Sequence, residues 1–166
     1  MNKNIVLIGF MGSGKSMVAR ELGKRLNAEV VSTDALAEAS EGVTIHEIFR
    51  SKGEAYFRNL ESEIIKKVSL RQGIVIDCGG GVILRKENLQ HLKTGGIVFY
   101  LQASPEVIYQ RIKHETHRPL LQVPDPLGCI KELYDQRLPL YSQADHTIDA
   151  NDASIEGPVI EILKKA

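Results

Sequence analysis

The stretch Gly9-Phe10-Met11-Gly12-Ser13-Gly14-Lys15-Ser16, directly behind the apolar run Ile5-Val6-Leu7-Ile8, constrains this chain more than any other feature. It matches G-x-x-x-x-G-K-[ST] at every fixed position. Glycines let the backbone curl so that successive N–H groups converge and form a nest for anionic oxygen. A helix opening near Lys15 adds its positive N-terminal end. In that setting Lys15 reaches the β- and γ-phosphates of a nucleotide, and the Ser16 hydroxyl binds Mg²⁺. Met11, Gly12, Ser13 and Gly14 complete the expected nucleotide cradle.

The rest of the chain repeats the order of strand, then helix. Asn4–Ile8, Glu29–Val31, Ile74–Ile76, Ile97–Leu101 and His146–Ile148 read as five strands, and their nearly continuous apolar character suits a parallel sheet covered on both faces. Lys15–Leu26 reads as a helix with Val18, Leu22 and Leu26 on one stripe. Phe57, Leu60, Ile64, Ile65 and Val68 mark a second, and Ser104-Pro105 opens a third. The expectation is a single three-layer α/β domain spanning residues 1–166. Thr33 to about Phe49 reads as a small cap of short helices. His114–Pro126, with three prolines and no apolar period, reads as a surface loop and a candidate lid.

Bulk properties narrow the partners. Basic and acidic side chains number 21 each, so no net charge draws the chain to nucleic acid or an anionic membrane. Trp is absent and Phe and Tyr are few, which disfavours base-stacking platforms. Cys78 and Cys129 form neither a disulfide framework nor a metal spacing, and reduced thiols suit a cytoplasmic protein. The run Ile5–Ile8 is too short to span a bilayer and passes straight into glycines, so neither an anchor nor a signal peptide is expected.

A cradle alone does not choose a phosphoryl acceptor. Asp77-Cys78-Gly79-Gly80 after the third strand has the D-x-x-G form of a nucleotide switch, but the sequence has no N-K-x-D or T-K-x-D to read guanine. The glycine run Gly79-Gly80-Gly81 is longer than a switch needs. It brings bare backbone to the carboxyl end of a strand, in the crevice where α/β sheets bind substrates. A kinase is the better reading. Asp34, just beyond the second strand, projects into the same crevice and can align a hydroxyl or take its proton. Arg58 either holds an anionic substrate group or pairs with Glu54 or Glu61 on its own helix.

"GFMGSGKS", "STDALAE", "IFRSKGEAYFRNLE", "CGGG", "RPLL" and "RLPLY" follow the order and spacing of shikimate kinases, and the chain resembles that family from Ile5 to about Ile148. The resemblance implies a P-loop fold of the nucleoside-monophosphate-kinase type with strand order 2-3-1-4-5. It implies a substrate-binding segment at about 33–61 and a lid at about 112–126. The implied reaction is ATP- and Mg²⁺-dependent phosphorylation of the 3-hydroxyl of shikimate, on the route to chorismate and the aromatic amino acids, by a cytoplasmic monomer. Asp34 would bind the substrate hydroxyls and accept the proton, while Arg58 and Arg137 would clamp the carboxylate. Gly80 and Gly81 would offer backbone contacts, Arg118 would reach the phosphates from the lid, and Arg111 would stack on adenine. A gluconate-type sugar-acid kinase is the nearest alternative.

The chain departs from the family pattern at two places. Ser32-Thr33-Asp34 replaces the usual Asp-x-Asp, and Asp77 stands where Ser or Thr is usual, at the end of the neighbouring strand. Two readings stay open: Asp77 takes over an outer-sphere contact to magnesium, or Ser32 and a water suffice. The stretch "DANDAS" lacks a basic residue on the adenine side. Glu61 is expected to orient Arg58, and His114 and His117 to be solvated lid residues.

Overall fold

Five parallel strands form one sheet in the computed structural model, which describes residues 3–166. The strands are β1 (Asn4–Ile8), β2 (Val30–Ser32), β3 (Val75–Asp77), β4 (Gly96–Gln102) and β5 (His146–Asp149), in the order β2-β3-β1-β4-β5. This is the order the resemblance implies. Met1 and Asn2, the first residues of the expected domain, lie outside the described residues.

Alternate residues of β1 feed the two faces of the sheet. Val6 and Ile8 join Ile76, Val98 and Tyr100 in one buried layer. Ile5 and Leu7 join Val75, Phe99 and Leu101 in the other. Helix α1 (Lys15–Leu26) covers the second layer through Val18, Ala19 and Leu22, together with α8 (Glu156–Lys165) through Val159 and Ile162. The first layer is covered by α4 (Glu54–Ser69), α5 (Lys86–Gly95), α6 (Pro105–Ile112) and α7 (Pro126–Tyr141). A strand buried on both faces needs apolar residues at consecutive positions, which is why β1 and β4 read as unbroken apolar runs.

The segment after β2 forms α2 (Thr33–Glu41) and α3 (Ile45–Lys52), in keeping with the expected cap. Ser32 caps α2 by accepting from the Ala35 N–H. Thr44 and Glu47 form a reciprocal capping box at α3. Ala37, Ile48 and Phe57 make a small core of their own beneath the cap. Between α6 and α7 the chain is less open than its prolines suggest. Pro119–Leu121 form a 3₁₀ turn, Gln122 Nε2 donates to the Thr116 carbonyl at 2.8 Å, and Leu120 and Leu121 pack against the main core.

Candidate active site

The cradle lies between β1 and α1. Gly12 and Gly14 have φ of 74° and 92°, a left-handed conformation that a side chain resists. Gly14 occupies the N-cap of α1 and provides no side-chain cap, so the first-turn N–H groups remain available to an anion. Lys15 Nζ donates to the carbonyls of Gly9 and Phe10 at 2.8 and 3.0 Å, which anchors the ammonium at the rim of the nest. Burial pulls its pKa below the usual lysine value, and the nearby carboxylates of Asp77 and Asp34 oppose that pull. Ser13 Oγ is buried with no hydrogen-bond partner.

Ser16 Oγ donates to Asp77 Oδ2 at 2.6 Å, joining the end of the cradle to the end of β3. Among the described residues no group of three or more His, Cys, Asp or Glu forms a metal cage. The donors at hand are a hydroxyl and a carboxylate, hard oxygens that suit Mg²⁺, a cation that keeps several waters and borrows phosphate oxygens.

Met11, Gly12, Gly14, Lys15, Ser16, Asp34, Asp77, Gly80 and Arg118 all line one crevice of about 280 Å³. The other expected substrate residues adjoin its glycine wall. Thr33 Oγ1 accepts from the Gly79 N–H at 3.0 Å and fixes the start of the triplet. Asp34 sits against Gly79, and burial raises its pKa despite the opposing charge of Lys15. Arg58 packs over Gly81, where a Cβ would lie 2.6 Å from the guanidinium carbon. That arginine is also held by Glu61, to which Nη1 donates at 2.8 Å, so its two readings are compatible. Glu61 is buried, one of its carboxylate oxygens has no partner, and burial pushes its pKa up.

Arg137 approaches the triplet from α7. Its Nη1 lies 3.5 Å from the Gly80 carbonyl, its guanidinium lies over Phe10, and its Nε is buried with no partner. Tyr141, one helical turn further along, donates its hydroxyl to the same carbonyl at 2.5 Å. Sequence reasoning gave Tyr141 and Thr33 no role. For Tyr141 the available signal was its i+4 spacing from Arg137, which places both on one face of α7.

Arg118 pairs with Glu115 within the loop and reaches the crevice from the lid side. Arg111 borders a separate, smaller cleft of about 80 Å³ together with Ser13, Gly14 and Ser154. Its Nη2 donates to the carbonyls of Ala150 and Asp152 at 2.7 and 2.8 Å, and its Nη1 donates to that of Gly12 at 3.3 Å. This arginine therefore ties the segment after β5 to the cradle.

A family model described as shikimate kinase matches residues 11–166. The chain belongs to the shikimate kinase family. A shikimate kinase of Thermodesulfovibrio yellowstonii is 46% identical over 163 residues, covering 98% of this chain and 94% of the relative. A solved structure of the Acinetobacter baumannii shikimate kinase, in complex with shikimate, superposes with a TM-score of 0.93 at 36% identity, covering 99% of this chain and 93% of that one. A gluconokinase from Sinorhizobium meliloti superposes at a TM-score of 0.61 with 17% identity, a likeness of fold alone.

Proposed function

We propose that this member of the shikimate kinase family transfers the γ-phosphoryl group of ATP to the 3-hydroxyl of shikimate in the crevice between the cradle and the glycine triplet. One observation carries the assignment of roles. Two arginines, Arg58 and Arg137, converge on Gly80 and Gly81 beside the half-buried Asp34 carboxylate, within reach of the phosphate nest. A cyclic acid with ring hydroxyls offers a carboxylate to the arginines and a hydroxyl to Asp34.

Each residue then has a defined task. Arg58 and Arg137 clamp the carboxylate and set the ring's position. The triplet brings backbone against it without side chains. Asp34 orients the attacking hydroxyl and takes its proton as the new O–P bond forms and the bond to the β-phosphate oxygen breaks, releasing ADP. Its raised pKa makes it a better proton acceptor than an ordinary carboxylate. Lys15 and Arg118 neutralise charge on the transferring group, and Ser16 holds the cation. Magnesium, when bound, would spread charge away from the β- and γ-phosphoryl oxygens. Arg111 and the segment it holds form the adenine side. Residues 112–126 close over the crevice and exclude water. A cytoplasmic monomer completes the reading.

Coupled ADP release with Mg-ATP, comparing shikimate, gluconate and no acceptor, tests it directly. Strong stimulation by shikimate alone is expected. Equal slow release in all three would overturn the assignment.

A further inference from the structure

Strands β2 and β3 run parallel with Ser32 directly opposite Asp77, so these residues end neighbouring strands at the same height beside the cradle. Both line the crevice. Their side chains are committed differently. Ser32 Oγ accepts from the Ala35 N–H at 3.3 Å and closes the first turn of α2. Asp77 is 8% exposed, and its Oδ2 receives the Ser16 hydroxyl proton at 2.6 Å. A hydroxyl whose proton is held in this way presents its lone pairs elsewhere, and a cation needs those lone pairs. Asp34, the other carboxylate of the crevice, packs on Gly79, whereas the Ser16 hydroxyl is held by Asp77.

We propose that Asp77 is the residue that positions magnesium in this chain, holding the Ser16 hydroxyl in its ligating rotamer and accepting from a water on the cation. The carboxylate thus stands on β3, and Ser32, one strand over at the same height, serves the helix cap. This rests on the reading of the cradle as a Mg-nucleotide site. With no group of three or more His, Cys, Asp or Glu gathered among the described residues, the cation would depend on nucleotide oxygens and water, which makes an outer-sphere carboxylate count.

The test is calorimetric titration of the full chain with ADP, with and without Mg²⁺, in the wild type, Asp77→Asn and the double variant Ser32→Asp/Asp77→Asn. Asn keeps the size and an oxygen for Ser16 but removes the charge. Expected in Asp77→Asn is a loss of about tenfold or more in the strengthening of ADP binding by Mg²⁺. Metal-free ADP binding should be unchanged or tighter. Aspartate returned at position 32 should recover much of the loss, because register places it at the same height. Mg²⁺ enhancement equal to wild type in Asp77→Asn would overturn the proposal. Loss in the single variant without recovery in the double would overturn the equivalence of the two strand ends. If Asn disturbs folding, as a thermal melt would show, Asp77→Ser takes its place with the same expected loss. No acceptor is present in these titrations, so a failure of shikimate phosphorylation and a failure of this proposal are separately visible.

Discussion

A Cβ on Gly79 would run into the Asp34 carboxylate, so the end of β3 and the candidate base are fitted to each other atom against atom. Gly79 has no left-handed backbone to accommodate, and its N–H is already tied to Thr33 Oγ1. The missing side chain therefore serves the approach of Asp34 rather than a turn.

Gly79→Ala is accordingly expected to fold and to misplace Asp34. A displacement of about 1 Å at a positioned group costs on the order of a hundredfold in rate. We expect kcat with shikimate to fall by about that factor while ADP affinity stays near wild type. Steady-state kinetics beside an ADP titration checks this, and normal kcat would show that Asp34 tolerates the methyl group.

Arg137 carries a buried Nε with no partner and a long Nη1 contact to Gly80, a guanidinium awaiting an acceptor. A hydrogen bond to a charged group contributes about 1.5–3 kcal/mol, so Arg137→Ala should raise the KM for shikimate about 10- to 100-fold. The KM for ATP should change little. Equal effects on both would remove Arg137 from the carboxylate clamp.

Asp34 is held at a cost to the fold. Burial raises its pKa above the unfolded value of 3.8, so between those two values the native chain binds more protons than the unfolded one. Stability contributed by this group therefore falls as pH rises through that window. Asp34→Asn removes the partly desolvated charge and should raise Tm at neutral pH, while kcat falls about 10²- to 10⁴-fold. The advantage in Tm should shrink as pH drops and vanish below 3.8, where both forms are neutral. Thermal melts from pH 3 to 8 read it, and a lower Tm for Asp34→Asn at pH 7 would contradict the sign.

Local pattern made much of this molecule legible. The glycines and Lys15 declared the cradle, and the unbroken apolar runs of β1 and β4 declared a covered parallel sheet. The lid was harder. Its prolines suggested an exposed loop, but Leu120 and Leu121, both half-buried, pack against the core, a tertiary contact that no period announces. Helix α7 was obscured because Pro139 lies inside it and the face bearing Arg137 and Tyr141 serves the site as well as the core. The contacts between Asp77 and Ser16, and between Thr33 and Gly79, join residues 61 and 46 positions apart. Only the strand order brings them together.

Tyr141 offers a last prediction, because its ring and its hydroxyl do separable jobs. The ring is fully buried and stacks on Tyr100 at 4.9 Å between centroids and 8° between planes. Burial pushes its pKa up to about 12, so the hydroxyl keeps its proton and donates to the Gly80 carbonyl across the working pH range. Tyr141→Phe preserves the stack and removes only that bond. Gly80 would keep the 3.5 Å contact from Arg137, too long to replace it. The loss should be about 1 kcal/mol, or roughly 2–4 °C in Tm for a chain of this size. If the bond also fixes the Gly80 peptide toward the acceptor, KM for shikimate rises about threefold to tenfold while KM for ATP is unchanged. A fall in Tm with both KM values intact would confine Tyr141 to the core.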